Sequence, residues 1–365
     1  MAIPETILTS PSSAHTFVCS ILLLYGVPLI RASLVADALV LADLRGVDSH
    51  GVNRLPSYIA RVQSGALTPN PDLKFELKTP VMALLDAQNT FGFVAASMAI
   101  DKGMEIAATY GVAVVSVKHS NHYGMAATYL LRAMRAGFGA MVFTNASRSM
   151  PPWGAKEPLF GTSPFAVGLP GGEEGDFVID MSPSVAARGK IRKAMRRGET
   201  IPEGYALDEK GCPTTDPEAA LRGVVLPIGG PKGSGLAMMM DIFGGLLSGA
   251  AFGGAVVDMN KKGNENKVQD VGHWFLVFRP DVFLEGGKED YLKRMDELMQ
   301  KVRGCEKADG VDMIYISGEI EARLEAKRTK EGIPYTPGEI NTLHALAKEA
   351  GSRVRLEATN GSKIV

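Results

Sequence analysis

The fold is decided by the stretch Val112-Ala-Val-Val-Ser-Val-Lys-His-Ser-Asn-His-Tyr-Gly-Met-Ala-Ala-Thr-Tyr129. Its first six residues, 112–117, are mostly apolar and β-branched, which predicts a short buried strand. From Ala126 onward the apolar residues recur at helical spacing, which predicts a helix. Polar and small residues connect the two elements at the carboxyl end of the strand, where α/β proteins tend to bind ligands. The stretch therefore predicts an α/β fold with a candidate site at this turn.

Three of the six histidines lie in two polar clusters. His119 and His122 lie in the turn itself, and His50 lies in the cluster Asp48-Ser49-His50-Gly51. The unperturbed pKa of histidine is near neutral pH, so these side chains suit proton transfer. The alternative interpretation is that both clusters cap helices and that the imidazoles are buried structural groups.

A second candidate surface begins at His50. His50, Arg54 and Tyr58 are spaced i, i+4 and i+8, so they would share one face of a short helix. Pro56 can interrupt that helix, which affects the placement of Tyr58. The alternative is a solvated stripe on the protein surface.

Composition limits the classes of partner and compartment. The 365 residues are 45% hydrophobic and 22% charged, with a net charge of −1. These values are typical of a globular protein of two or three domains, and they give no reason to expect nucleic acid or a membrane as a partner. Cys19, Cys212 and Cys305 are far apart and odd in number, which argues against disulfides and against a metal site. A reducing, cytoplasmic location follows, because no secretory signal is visible either.

One apolar stretch, Leu236 to Val257, is about as long as a membrane span. It contains Asp241 and recurring glycines, and the chain has no second stretch of this kind. We therefore expect a core helix in this place.

Three further segments are rich in glycine or in charged residues. The loop from Gly223 to Gly235 is suited to hold a phosphate through backbone amides and Lys232, although it matches no standard phosphate motif. Residues 184–197 predict a basic helix, which is either a solvated surface or a phosphate contact. The polar, charged segment 260–268 predicts an exposed insertion.

Four motifs carry a resemblance to a known family. They read Asp43-Leu-Arg-Gly-Val-Asp-Ser-His-Gly-Val-Asn-Arg54, Ser120-Asn-His-Tyr-Gly124, Gly161-Thr-Ser-Pro164 and Gly229-Gly-Pro-Lys-Gly-Ser-Gly235. Together they resemble the malate/L-lactate dehydrogenase family, a nicotinamide-dependent group without a Rossmann fold. The similarity runs in the same order over residues 10 to 345.

The resemblance implies a non-Rossmann α/β fold, with a largely antiparallel sheet flanked by helices and a helical region built from both termini. It also implies a homodimer, with the substrate beside the nicotinamide near the subunit interface. The implied regions are an N-terminal helical region with the His50/Arg54 motif at 1–70, a substrate-side region at 71–122, a cofactor-binding domain at 123–304, C-terminal helices that pack on the first region at 305–350, and a tail at 351–365.

The family's functional residues transfer to matching positions of this sequence. The resemblance implies catalytic histidines at His50 and His122 and a carboxylate-binding arginine at Arg54, with Ser49 and Tyr58 close by. A structural role is then the better interpretation of His119. The expected cofactor is NAD, or alternatively NADP. Its implied contacts are Ser147, Asp180, Met181, Ser182, Pro231, Lys232, Gly318 and Glu319.

The implied activity is reversible hydride transfer between the nicotinamide and a small 2-hydroxy acid. Malate and oxaloacetate are the first choice, and L-lactate, ureidoglycolate and sulfolactate are the alternatives. A cyclic imino-acid reductase on the same scaffold and a binding protein without activity are the competing classes. Ser163, Tyr205 and Ser317 stand where the family commonly has Asn, Trp and Pro, so substrate and cofactor preference are not carried over from the motifs.

Overall fold

The computed structural model describes residues 6–359. Its α-helices are α1 (Pro11–Leu24), α2 (Leu29–Leu44), α3 (Leu55–Gln63), α4 (Gly92–Tyr110), α5 (Ala127–Arg135), α6 (Arg188–Arg197), α7 (Pro217–Arg222), α8 (Pro231–Met240), α9 (Gly287–Arg303), α10 (Glu319–Glu331) and α11 (Pro337–Glu349). Two 3₁₀ turns, Asp48–His50 and Val52–Arg54, lie between α2 and α3, and a π-helical segment, Asp241–Leu246, continues α8.

Within residues 6–359 the strands form one large sheet and three small ones. They are β1 (Ile7–Thr9), β2 (Phe75–Thr79), β3 (Met82–Asp86), β4 (Val112–Ser120), β5 (Gly139–Thr144), β6 (Arg148–Met150), β7 (Phe160–Gly161), β8 (Phe165–Leu169), β9 (Phe177–Met181), β10 (Ala206–Leu207), β11 (Pro213–Thr214), β12 (Val224–Val225), β13 (Val271–Phe278) and β14 (Ile333–Tyr335).

The large sheet has seven strands in the order β2-β3-β4-β13-β5-β8-β9. β3 and β4 run parallel, and each other neighbouring pair is antiparallel. Alternate residues of β4, such as Val115 and Val117, are fully buried in one core with residues of α4 and α5, such as Ile100 and Leu130. The predicted strand at 112–117 is thus confirmed, and so is the predicted fold class, a mostly antiparallel sheet flanked by helices.

The two ends of the chain meet in a second core. β1 pairs antiparallel with β14, so that Ile7 lies opposite Tyr335. α1, α2 and α11 bury Phe17, Leu39 and Leu343 in the same cluster. The predicted helical region from both termini is therefore present.

The chain beyond Gly351, which the sequence analysis assigned to a tail, packs on the N-terminal strand up to residue 359. Leu356 is 1% exposed, and the N–H of Thr359 donates to the carbonyl of Leu8. Up to residue 359 this segment is part of the terminal core, because it pairs with the N-terminal strand. Residues 360–365 lie outside the described part of the chain.

The predicted boundary between residues 122 and 123 falls within the large sheet. β4 precedes it and β13 follows it, yet these two strands pair along their whole length. A smaller satellite core lies beyond β9, where Ile191 of α6 packs with Ala220 of α7 and Val225 of β12.

The stretch Leu236 to Val257 is a helix only in its first half. The helix ends at Leu246, and the chain then takes positive φ values of +81° at Gly249 and +61° at Gly253. The carboxylate of Asp241 accepts the N–H of Gly253 at 2.6 Å, which fixes the chain reversal. The predicted full-length core helix is therefore wrong beyond Leu246. Among residues 6–359 no helix is long and apolar enough to cross a membrane.

Candidate active site

A cavity of about 970 Å³ opens beside the carboxyl end of β4. Nine residues that the sequence analysis singled out line its wall, and they come from five separate parts of the chain. They are Ser49, His50, Arg54, His122, Ser147, Asp180, Met181, Ser182 and Gly318.

The loop of residues 48–54, hereafter the 48–54 loop, carries three of these side chains. The carboxylate of Asp43, at the end of α2, accepts the N–H of Val52 at 2.9 Å. Gly51 packs so closely on this carboxylate that a Cβ there would lie 1.7 Å from Oδ1. The loop is thereby held against α2, and His50 and Arg54 reach the cavity. The Ser49 hydroxyl lies 2.9 Å from Nδ1 of His50.

His122 follows β4 and is held by three hydrogen bonds. Its backbone N–H donates to Oε1 of Gln269 at 3.0 Å. Its Nδ1 accepts the N–H of Gly124 at 3.3 Å and lies 2.8 Å from the hydroxyl of Tyr58. Because a backbone N–H can only donate, Nδ1 acts as an acceptor, and the neutral ring carries its proton on Nε2.

The two histidines face one another. The rings of His50 and His122 are stacked, with centroids 5.3 Å apart and an interplanar angle of 23°. Burial, and then the charge of Arg54, lowers the pKa of His50 to about 4. Burial, followed by His50 and Arg54, lowers the pKa of His122 well below its usual range. Both rings are therefore neutral near pH 7 before a ligand binds.

Arg54 brings a positive charge to the same wall. Its Nη2 lies 3.7 Å from Sδ of Met259, and its guanidinium carbon lies 6.0 Å from the ring centroid of Tyr58. Within residues 6–359 its Nε is buried without a hydrogen-bond partner, and no carboxylate lies within ion-pair distance. The guanidinium is thus available to an anionic ligand.

Another part of the cavity wall is formed by β9 and the loops beside it. The carboxylate of Asp180 accepts the N–H of Ala127 at 2.8 Å, and burial raises its pKa to about 6. Ser147 adds a hydroxyl group on the loop after β5, whereas the side-chain amide of Asn145 on the same loop is bonded to the backbone of Ala251 and Gly272. Gly318 has a φ of +90° and packs directly on Val178 of β9.

The size and the donors of the cavity fit a dinucleotide together with a small acid. Ligand pockets usually measure about 300 to 1,000 Å³, and this cavity lies near the upper end of that range. Hydroxyl groups, a carboxylate and several arginines suit ribose hydroxyls and phosphates. Clusters of three or more metal-binding side chains are absent from residues 6–359.

Four of the predicted site residues lie outside the cavity lining. Pro231 and Lys232 are exposed at the start of α8. Glu319 accepts the N–H of Ile316 and pairs with Arg303 and Arg323, so its carboxylate is held by contacts within the protein. Tyr58 is 1% exposed and reaches the site only through its hydroxyl on His122.

His119 lies away from the cavity. It has a φ of +50°, and its Nδ1 lies 3.0 Å from Oδ2 of Asp86 at the end of the neighbouring strand β3. These features agree with the structural role that the sequence analysis favoured for it.

Sequence reasoning missed several residues of the wall. Arg188 and Arg192 line it from α6, and their i, i+4 spacing in the predicted basic helix was the available signal. Asp258, Met259 and Gln269 line it from the segment at and beside the predicted insertion. No local pattern marks these three, because long-range contacts place them.

Comparison with known proteins gives the family. Residues 9–344 match the family described as malate/L-lactate dehydrogenase. The chain belongs to this family. It is 36% identical to L-sulfolactate dehydrogenase of Methanocaldococcus jannaschii, over 94% of this chain and 97% of that protein. It is 34% identical to ureidoglycolate dehydrogenase (NAD(+)) of Escherichia coli, over 83% and 85% of the two chains.

Solved structures agree with this assignment. The structure of sulfolactate dehydrogenase from Methanocaldococcus jannaschii superposes with a TM-score of 0.89, at 35% identity, over 95% of this chain and 98% of that one. The structure of malate dehydrogenase from Pyrococcus horikoshii OT3 gives a TM-score of 0.87, at 29% identity, over 97% and 99%. The chain is thus an oxidoreductase of the 2-hydroxy acid dehydrogenase class, and the relatives support a nicotinamide cofactor.

Proposed function

We propose that this enzyme transfers a hydride reversibly between NAD or NADP and a small 2-hydroxy acid, with malate and oxaloacetate as the first substrate pair. The observation that carries the proposal is the position of Arg54, His50 and His122 on one cavity wall. L-Lactate, ureidoglycolate and sulfolactate are the alternative 2-hydroxy acids. NAD is the first choice of cofactor.

Arg54 binds the carboxylate of the substrate in this proposal. Its planar guanidinium matches two carboxylate oxygens, which a lysine would do less well. The absence of a carboxylate partner within residues 6–359 supports this role, because a half-buried cation without a counter-ion is costly. The bound carboxylate would also offset the positive charge that holds the pKa of His122 down.

His122 exchanges the proton with the substrate oxygen. As a 2-oxo acid binds, the ring takes up a proton from solvent at Nδ1, so that Nδ1–H donates to the Tyr58 oxygen and the bond that Nδ1 accepted from the N–H of Gly124 is given up. Nε2 then gives its proton to the carbonyl oxygen, and in the oxidation direction the bare Nε2 takes it back. A bound nicotinamide supplies the hydride acceptor or donor.

His50 is the alternative proton carrier. We favour His122, because its ring and backbone are held by Tyr58, Gly124 and Gln269. Within residues 6–359 the side chain of His50 has one hydrogen-bond partner, the exposed Ser49. A group that transfers protons works best when other residues orient it. His50 then stacks on His122 and tunes its pKa.

The test is oxidation of NADH and of NADPH by the purified protein with oxaloacetate, pyruvate, the 2-oxo acid of sulfolactate and a cyclic imine. Turnover with a 2-oxo acid supports the proposal and identifies the preferred cofactor. Turnover with the imine alone would assign the protein to the cyclic imino-acid reductases. Failure to bind either nucleotide would contradict the proposal and favour a binding protein without activity.

Variants test the site itself. We expect Arg54→Ala mainly to raise KM for the 2-oxo acid. We expect His122→Asn to lower kcat by about 10²- to 10⁴-fold, the usual contribution of general acid–base catalysis. Near-wild-type kinetics in both variants would contradict the assignment of these residues.

We also propose a homodimer in a cytoplasmic location. The implied family assembly supports the dimer, and light scattering on the purified protein tests it. The free thiols of buried Cys19 and exposed Cys212 and Cys305 support a reducing compartment. Separation of the cytosolic fraction from the membrane fraction of cells that express a tagged chain tests the location.

A further inference from the structure

We infer that Arg188 and Arg192, hereafter the α6 arginine pair, bind a second anionic group of the substrate and thereby select dianionic 2-hydroxy acids. This inference rests on the proposed function and adds the residues that would set its substrate preference. The second group is a carboxylate or sulfonate at the end of the substrate opposite the carboxylate that Arg54 holds.

Both arginines face the cavity from the same side of α6. They are four residues apart, so they lie one above the other on the helix, and both line the cavity. Nη2 of Arg188 donates to the carbonyl of Leu221, which holds the half-buried guanidinium in place. Among residues 6–359 its Nε and Nη1 have no hydrogen-bond partner, so this edge is free for a ligand.

The positive charges of the α6 arginine pair are not matched by ion-pair partners among the residues that the structure describes. Arg45, which also lines the cavity, pairs with Glu325 at 2.6 Å. In the described part of the chain neither Arg188 nor Arg192 has a carboxylate within ion-pair distance. Burial and the neighbouring charge of Arg192 lower the pKa of Arg188, and Asp258 opposes this effect. Two adjacent cations on a partly buried wall are typical of a site that receives an anion.

The position of Asp258 places the pair near the substrate end of the cavity. Asp258 is close enough to Arg188 to affect its pKa, and it directly precedes Met259. Sδ of Met259 lies 3.7 Å from Nη2 of Arg54. A short piece of chain therefore connects the surroundings of Arg188 with those of Arg54. A substrate held at Arg54 that extends along this piece of chain would bring its far end to α6.

A phosphate of the cofactor is the second source of the same anionic chemistry. β9, which carries Asp180, leads through a short connection into α6. The experiment must therefore separate the two sources. It compares a dianionic with a monoanionic 2-oxo acid, and it measures nucleotide binding independently of turnover.

The variants are Arg188→Gln and Arg192→Gln, with Arg197→Gln as the control. Arg197 lies on the opposite side of the same helix from Arg188 and is exposed. We expect Arg188→Gln to raise KM for oxaloacetate by about 10- to 100-fold, the loss typical of a charge-assisted hydrogen bond. KM for pyruvate and the fluorescence-measured Kd for NADH should stay unchanged. Arg197→Gln should resemble the wild type.

Three outcomes would overturn the inference. A higher Kd for NADH or NADPH in the α6 variants, with equal losses for both 2-oxo acids, would assign the pair to a cofactor phosphate. Unchanged kinetics in both α6 variants would exclude either role. An equal effect of Arg197→Gln on KM would show that the net positive charge of α6, and not contacts of the α6 arginine pair, lowers KM for oxaloacetate.

Calorimetric binding of L-malate and L-lactate separates this inference from the proposed function. The nucleotide-bound wild type should bind malate more tightly than lactate, and Arg188→Gln should lose that preference. This result would support the role of the α6 arginine pair whether or not a 2-oxo acid is turned over. A lack of turnover would contradict the proposed function alone. If the wild type turned over 2-oxo acids but bound malate and lactate equally tightly, the inference about the α6 arginine pair would be contradicted and the proposed function would stand.

Discussion

At the scale of single residues, the chemistry depends on which nitrogen of His122 is free. Tyr58 and Gly124 occupy Nδ1, so Nε2 is the atom that can meet a substrate. The Tyr58 hydroxyl can donate to Nδ1 or accept from it, so it can follow both protonation states of the ring. Tyr58 is therefore a positioning residue, because it acts through His122.

We expect Tyr58→Phe to lower kcat by about tenfold or more, since a lost hydrogen bond to a reacting group is worth about 1.5–3 kcal/mol when that group is charged. KM for the 2-oxo acid should change little, because Arg54 still holds the carboxylate. Steady-state kinetics in both directions measure the effect. A rise in KM with an unchanged kcat would show that Tyr58 shapes the substrate pocket instead.

The depressed pKa of His122 predicts the pH dependence. Oxidation of the 2-hydroxy acid needs the neutral ring, so kcat/KM should fall as the pH drops through a pKa below 6.5 and be flat above it. His50 contributes to the depressed pKa of His122, so His50→Asn should move this acid limb to higher pH. A pH–rate profile of both proteins tests this. A limb that stays in place would refute the electrostatic role of His50.

Residue spacing predicted part of this arrangement. His50, Arg54 and Tyr58 do converge on one region, as their i, i+4, i+8 spacing suggested. They do so through two 3₁₀ turns and α3, because Gly51 is extended and interrupts the helix. The stacking of His50 on His122 was not predictable, since it depends on packing between distant parts of the chain.

At the scale of elements, the segment 258–269 lines part of the cavity and is fixed to the rest of the protein by hydrogen bonds. The predicted insertion within it is exposed as expected, but Nη2 of Arg61 donates to the carbonyl of Lys267 at 2.8 Å. The hydroxyl of Ser64 donates to the carbonyl of Glu265 at 2.6 Å. These bonds from α3 and its end hold the segment that places Met259 beside Arg54.

We expect Arg61→Met to raise KM for the substrate several-fold and leave kcat close to that of the wild type. The physical reason is that the segment 258–269 loses an anchor while His122 stays in place. Hydrogen exchange should become faster in this segment, and steady-state kinetics should be measured alongside it. Arg222→Met, which removes only exposed ion pairs, is the control. Unchanged exchange in the segment would show that the anchor is dispensable.

Local patterns predicted the regular elements well, because apolar periodicity and turn residues act over short distances. The predicted strand at 112–117 and the helices at both ends agree with the structure. An error occurred where glycines decide, because the glycines after Leu246 end the predicted core helix. The structure also places Glu319 outside the cavity lining through its bonds to Ile316 and Arg323. Periodicity reports neither effect.

At the scale of the whole molecule, Asp43 connects both ends of the chain to the site. Its Oδ2 accepts the N–H of Val52 in the 48–54 loop and the hydroxyl of Tyr335 in β14, at 2.9 and 2.6 Å. Its Oδ1 is buried without a partner within residues 6–359. Burial raises the pKa of Asp43 to about 7, although the bonds to Tyr335 and Val52 oppose the shift. The site and the terminal core therefore share one titrating group.

This raised pKa predicts how stability depends on pH. The unfolded carboxyl ionises near pH 3.8, whereas the folded one ionises near 7, so its contribution to stability is complete below pH 3.8 and is lost as the pH rises through 7. Asp43→Asn removes this titration. The free energy of unfolding of the variant relative to the wild type should increase by about 3 kcal/mol between pH 5 and pH 8. Urea unfolding at both pH values measures it, with Asp208→Asn as the control, because the backbone hydrogen bond from Cys212 lowers the pKa of that carboxyl. If Asp43→Asn were relatively less stable at pH 8, Asp43 would instead work as a charged carboxylate that stabilises the junction.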